Sequence, residues 1–396
     1  MIQEKATSQR RFDLDWLRVL AILTVFTFHS GRFFDRMDWH VKNPITYLPM
    51  QTWTMFLASW MMPLIFVISG ASLYFALGKF GKFVKDKVLR LLVPLVVGVF
   101  THVALGVYLE RLTHHQFTGS FFEFYPNYFR GMYGDGGNFA WMGLHLWYLL
   151  VLFVFTLALA PVFYLLKGWG KKVLEWIGNF FALPGMFYLL ALPVAWIMIK
   201  VNPQSAWGER AWGGWSLLGY IPFFLYGFIL FSNTKLQESI KQFRWVSLVL
   251  AVTCTFFLAR ENAHYGSAVF GSRGYMIVNG LFGANAWLWS VTVFGLGMKR
   301  LNFQNKFLTY ANEAVLPFYI LHQTVLLCVG YFVVRWNVPV VAKFAVISSI
   351  SFLLVMVIYE FLVRRWNAML FLFGMRVKAK AQVVNPKVTS QVGLQA

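Results

Sequence analysis

Asp15-Trp16-Leu17-Arg18-Val19-Leu20-Ala21-Ile22-Leu23-Thr24-Val25-Phe26-Thr27-Phe28-His29 opens the first of a series of apolar runs. The ten residues between Arg18 and His29 are apolar apart from Thr24 and Thr27. In a helix the step from Arg18 to His29 is about 1100°, roughly three turns and 20° more, so both side chains share one face about 16 Å apart along the axis. Asp15 lies three residues before Arg18, on nearly the same face and within ion-pair reach. A stripe carrying an ion pair at one end and a histidine at the other is costly inside an apolar helix, and each of its members is a functional candidate. The plain alternative is that Asp15 and Arg18 anchor the helix at the membrane interface and His29 is a hydrogen-bonded core group.

Working outward, apolar runs of this kind recur along the whole chain of 396 residues. The composition is 59% hydrophobic, 19% aromatic and only 13% charged, against roughly a quarter charged in soluble chains. Runs of about 18 residues or more suffice to cross about 30 Å of hydrocarbon. They predict an all-α, polytopic membrane protein of about ten transmembrane helices, at 14–34, 53–77, 91–109, 144–166, 180–199, 215–232, 245–259, 276–298, 314–334 and 343–363. The seventh is short, and is expected to be tilted or partly interfacial. No alternating pattern suggests an outer-membrane barrel. No cleavable signal peptide is evident. A membrane domain over 13–375 is expected to be followed by a cytoplasmic, disordered tail over 376–396.

The net charge of +20 does not point to nucleic acid, because the basic residues sit in short clusters between apolar runs. Of the 35 Lys and Arg, 23 fall in the segments that share a side with the N-terminus, 11 fall on the other side, and Arg18 lies within the first span. That bias predicts both termini on the cytoplasmic side. The largest outer loop, 110–143, is rich in Phe, Tyr and Gly, and is expected to fold back onto the membrane surface or to lid a cavity. Cys254 and Cys328 both lie in apolar runs, so a structural disulfide is not expected.

Further ionisable residues fall inside spans: His102, His145, His322 and Glu360. A lone buried histidine is more often a packing residue than a catalyst, but five such groups in one bundle weaken that explanation. His40, His114, His115 and His264 fall in outer loops and are expected to be solvated. No His-x-x-x-His, Cys-x-x-Cys or paired acidic motif suggests a metal, and no Walker-type glycine loop is present. Ser69-Gly70 and Gly295-Leu296-Gly297 are expected to be close-packing positions between helices.

Taken in order, these residues resemble the membrane acyltransferase 3 family. That family carries an arginine, ten residues and then a histidine in its first helix, as in Arg18 and His29. Phe66-Val67-Ile68-Ser69-Gly70 resembles its Phe-x-x-Ser-Gly element, and Lys87-Val88-Leu89-Arg90-Leu91-Leu92-Val93-Pro94 its basic entry to the third span. His145-Leu146-Trp147-Tyr148-Leu149 is similar to its His-x-Trp-[Phe/Tyr] element. Phe318-Tyr319-Ile320-Leu321-His322 resembles its late histidine motif, and Tyr359-Glu360 its closing glutamate. Within the family the likeness is to the glucan-modifying branch, the succinyltransferases of periplasmic glucans, carried by the segments after His145 and at Leu301-Asn302-Phe303-Gln304. Val19 stands where many members have Gly, and Leu362 where many have Pro.

The resemblance implies a bacterial inner-membrane enzyme that moves an acyl group, succinyl or acetyl, from cytoplasmic acyl-CoA to a hydroxyl of an extracytoplasmic glycan. It implies acyl-CoA, a glycan acceptor and the bilayer as partners, with no permanently bound cofactor, no metal and no nucleic acid. His29 is then the expected general base, or the carrier of a transient acyl group. Arg18 would hold the pantetheine arm or a phosphate, oriented by Asp15, with Lys87 and Arg90 taking other phosphates. His145, Trp147 and Tyr148 would line the outer mouth, His322 would donate to the oxyanion or orient His29, and Glu360 would join the binding set. Two rival classes fit the same bundle: a secondary transporter or glycan exporter, and a non-enzymatic assembly or sensor protein. Transporters often show two related halves, which this sequence lacks.

Overall fold

The computed structural model describes residues 10–266 and 268–377. The tail expected over 376–396 lies outside the described residues beyond its first two positions. Among the described residues the chain is helical, with two isolated bridges as its only extended pairing.

The opening stretch forms α1, Phe12–Gly31, with Asp13 and Asp15 in the first turn, where acidic groups oppose the positive end of the helix dipole. Then come α2 (Leu48–Ala58) and α3 (Met61–Ala76), followed by α4 (Phe80–Lys87), a π-helical turn over Val88–Leu92, α5 (Val93–Phe100) and α6 (His102–Thr113). The aromatic loop holds α7, Phe121–Tyr128, started by a Ser120–Glu123 capping box. Next are α8 (Trp147–Ala158), α9 (Ala160–Lys167), α10 (Lys171–Ala182), α11 (Ala191–Lys200), α12 (Leu217–Ser232) and α13 (Thr234–Gln242). The last third is built from long helices: α14 (Arg244–Tyr265), α15 (Arg273–Arg300), α16 (Lys306–Val333) and α17 (Val340–Ile358), with the short α18 (Asn367–Leu372) beyond them.

By length and apolarity five of the described helical units can cross a membrane, and four bent pairs raise the number to nine. The 20-residue α1 is not among them, since it carries Asp13, Asp15 and Arg18 within its first two turns. The structure thus gives five to nine candidate spans where the sequence predicts about ten. Two predicted spans also shift. Residues 180–182 close α10, and the chain then turns by 111° through Gly185, whose φ of +78° favours a residue without a Cβ, before α11 begins. The predicted short seventh span is the 22-residue α14.

The core is organised around α1, which packs against α3, α15 and α16. In lipid no hydrophobic force drives helices together, so association relies on close van der Waals contact at small residues. α3 and α12 meet in this way: a Cβ on Gly70 would lie 1.9 Å from the Phe224 carbonyl oxygen, and one on Gly227 2.0 Å from that of Val67. Gly297 likewise admits Leu17 of α1 against α15. The predicted close-packing roles of Gly70 and Gly297 follow from these contacts. The aromatic loop packs onto α5, where Tyr125 and Tyr128 donate hydroxyl hydrogen bonds to the carbonyls of Phe100 (2.8 Å) and Val99 (3.0 Å). Cys254 and Cys328 are both free thiols.

Candidate functional site

Four helical elements bring histidines together in the bundle. His29 comes from the last turn of α1, His322 from the middle of α16, His145 from the 3-10 turn just before α8, and His102 from the start of α6. The rings of His29 and His322 stack with centroids 5.1 Å apart, and that of His145 lies 5.0 Å from His322 and 6.4 Å from both His29 and His102. His322 is fully buried, His145 nearly so, and His29 only partly.

Hydrogen bonding fixes the tautomers of His322, His29 and His145. His322 Nδ1 lies 2.6 Å from the Tyr319 carbonyl, which can only accept, so Nδ1 carries the proton. In a neutral ring His322 Nε2 is then an acceptor, and it faces His29 Nδ1 at 2.9 Å. His29 therefore donates from Nδ1 and keeps its lone pair on Nε2, the arrangement that orients an imidazole as a base. That Nε2 has no protein partner among the described residues, and it is not sealed from solvent. His145 Nε2 donates to the Ile320 carbonyl at 3.0 Å, and Tyr319 donates its hydroxyl to the His145 carbonyl at 2.5 Å. Among the described residues no group of three or more His, Cys, Asp or Glu side chains is arranged to hold a metal.

At the other end of the stripe, Arg18 pairs with Asp15 at 3.3 Å, as its spacing predicts, and also donates to Asn312 of α16 (3.1 Å) and Ser72 of α3 (3.0 Å). Asp15 is shared with Arg10 at 2.9 Å. These groups border a cleft of about 230 Å³ formed by Arg10, Arg11, Asp15, Arg18, Ser72 and Phe75. Lys87 and Arg90 are close enough for their charges to act on Arg18. Glu360 belongs to a neighbouring group, where it accepts from Tyr310 (3.1 Å) and pairs with Arg364 (3.1 Å), beside a cleft lined by Tyr310, Glu313 and Arg364.

Polar side chains bridge these two ends. Ser69, one turn from Ser72, donates to Ile65 O (2.8 Å), so the Tyr148 hydroxyl at 2.5 Å donates to Ser69. The Tyr148 ring meets Tyr319 at 6.0 Å, and Tyr319 bonds His145. The structure thus brings Asp15, Arg18, Tyr148, His145, His322 and His29 into one line, and leaves Trp147 apart from it. Trp147 turns instead to Trp212 (5.6 Å) and Tyr220 (5.8 Å). Asn312 and Ser72 carry no signal in the sequence, because only the fold brings α16 and α3 to Arg18. Ser69 does, since it lies in the Phe-x-x-Ser-Gly element.

Beyond His29, the segment after α1 builds a second polar cluster. His40, expected to be solvated, is buried: its Nδ1 bonds Glu110 of α6, whose carboxylate also takes the Tyr133 hydroxyl at 2.7 Å and pairs with Arg111 at 2.9 Å. The loop sequence gives no period from which that burial could be read. Burial and the adjacent Glu110 carboxylate push the Tyr133 phenol well up, so it remains a donor. Trp39 links the two clusters, its ring 6.0 Å from His29 at an interplanar angle of 11° and 5.6 Å from His40. Alongside, fully buried Asp35 holds Arg32 (2.5 Å) and Lys42 (2.8 Å). His115 and His264 are exposed as expected, while His114 is partly buried with Nε2 on the Trp39 carbonyl at 3.2 Å.

A model of the acyltransferase domain of the acyltransferase 3 type matches residues 11–360. Among characterised proteins, the glucans biosynthesis protein C of Escherichia coli strain K12 is 26% identical over 337 residues, covering 82% of this chain and 84% of that protein. The protein of the same description from Escherichia coli O157:H7 matches at the same identity and coverage. No solved structure matches. With its match running across nearly all of the helical bundle and both ends of the Arg18–His29 stripe, the chain belongs to the acyltransferase 3 family and is an acyltransferase.

Proposed function

We propose that this protein transfers an acyl group, succinyl or acetyl, from cytoplasmic acyl-CoA to a hydroxyl of an extracytoplasmic glycan, from the inner membrane of a bacterium. The observation that carries the reading is the fixed tautomer of His29, whose Nε2 lone pair is open while Nδ1 is held by His322. The relatives named for glucan biosynthesis support a glucan as the acceptor.

In this mechanism His29 Nε2 takes the proton of the acceptor hydroxyl as its oxygen attacks the thioester carbonyl. The tetrahedral intermediate collapses to the ester, and the departing CoA sulfur takes the proton back from His29. The bond from Nδ1 strengthens as His29 becomes an imidazolium, since it is then charge-assisted. Because both His322 nitrogens are engaged, an orienting role suits it better than donation to the oxyanion. Arg18 binds a phosphate or the pantetheine arm at the cleft, Asp15 and Asn312 hold it, and Lys87 and Arg90 add positive charge. The arm spans about 16 Å to His29, past Tyr148 and His145. Glu360, bonded to Tyr310 and Arg364, supports the wall of the same end.

The test is thiol release from acetyl-CoA and succinyl-CoA by purified protein in detergent, with and without a β-glucan acceptor, for wild type and His29→Ala. Acceptor-stimulated release that disappears in His29→Ala is the expected result. A folded protein that binds no CoA would return the transporter reading to the front.

A further inference from the structure

We propose that His40 and Trp39 form a subsite for a hydroxyl-bearing saccharide beside His29, at the end of α1 remote from Arg18. The inference rests on the acyl-transfer reading above and names where its acceptor binds. His40 is 9% exposed, and its Nδ1 is held by the Glu110 carboxylate. A carboxylate only accepts, so Nδ1 carries the proton, and Nε2 is the ring nitrogen left to meet a ligand. That Nε2 meets no protein partner among the described residues, and it is not sealed away.

The network engages one ring nitrogen and leaves the other open to a ligand. Tyr133 and Arg111 bind the same carboxylate, which fixes the ring to α6. Thr113 donates to the His40 carbonyl at 2.8 Å, and His114 Nε2 meets that of Trp39 at 3.2 Å, so the corner is held at several points. A rigid imidazole nitrogen next to a partly exposed indole ring matches a neutral sugar, which offers hydroxyls and an apolar C–H face. The Trp39 ring also lies against His29, so a sugar seated there presents a hydroxyl to the open His29 Nε2. Such a site rejects acceptors that lack the paired hydroxyl.

The full chain, purified in detergent, is titrated by calorimetry with a linear β-glucan oligosaccharide and separately with CoA, and its acceptor KM is measured. His40→Gln and Trp39→Leu are expected to weaken oligosaccharide binding and raise acceptor KM about tenfold, the loss of roughly one hydrogen bond or stacking contact. CoA affinity stays unchanged. Monodispersity is checked for each variant, and either one that folds carries the test. Unchanged oligosaccharide affinity and KM in a folded variant overturn the subsite, as does wild type that binds no oligosaccharide. Oligosaccharide binding that depends on His40 in a protein that cleaves no acyl-CoA keeps the subsite and overturns only the acyl-transfer reading.

Discussion

Replacing His322 tests the site at its most specific point. The His29 Nδ1–H···Nε2 His322 bond, 2.9 Å long, joins two neutral rings in the resting enzyme and contributes roughly 1 kcal/mol net. In the proposed mechanism His29 accepts a proton, and the same bond then involves a cation and contributes roughly 1.5–3 kcal/mol. The difference of about 1–2 kcal/mol is realised only as the transition state forms, which is about 5–30-fold in kcat. His322→Phe also removes the acceptor that selects the reactive tautomer, so the expected loss in kcat is about 10–100-fold. The KM for acyl-CoA should hold, because Arg18 lies about 16 Å away along α1. His322→Gln, whose amide oxygen can accept from Nδ1, should recover part of the rate. The assay is CoA thiol release by purified protein with saturating acceptor. A folded His322→Phe that binds CoA and keeps kcat within about twofold of wild type would refute the orienting role.

Three further outcomes follow from the same geometry. Arg18→Lys replaces a fork with a point charge and cannot keep the contacts to Asp15, Asn312 and Ser72 together, so calorimetry should show CoA binding weakened by about tenfold; undiminished affinity counts against Arg18 as a CoA ligand. Gly70→Val drives a side chain into the Phe224 carbonyl and should cost roughly 3 kcal/mol or more, seen as a lower thermal midpoint in detergent; an unchanged midpoint contradicts the close α3–α12 approach. Asp35→Asn leaves Arg32 and Lys42 without their shared counter-charge and should cost about 3–5 kcal/mol, with partial recovery when Lys42→Met is added; equal stability of the single variant and wild type would mean the pairs are solvated.

The sequence exposes the features that depend on local period. Arg18 and His29 fall on one stripe because eleven residues are close to a whole number of helical turns, and Asp15 meets Arg18 for the same reason. Ser69-Gly70 and Gly297 read as contact points because small residues in apolar helices have few other uses. What the sequence hides is set by the fold at long range. His322 is visible as a buried histidine, but that its Nε2 faces His29 depends on how α16 lies against α1. His40 looks like a loop residue, and its burial depends on Glu110, seventy positions away. Trp147 stands in the same motif as His145, yet the helix points it toward Trp212 instead of the histidines. The bend at Gly185 redirects a run, 180–199, that hydropathy alone reads as one straight span.

The paired glycines of α3 and α12 also decide which side of the molecule can give way. Helices whose backbones touch through Gly70 and Gly227 cannot part without losing the whole seam, so Ser69 and Ser72 are stationary posts for Tyr148 and Arg18. The breaks in helical regularity nearest to Arg18 lie outside that seam, at the π-helical turn over Val88–Leu92 and the 42° bend between α5 and α6. In the proposed reaction, an acyl carrier passing from Arg18 to His29 would find room at those breaks and not at the seam. The passage would then widen from one side only, with His29 and His322 on α1 and α16 holding their register throughout.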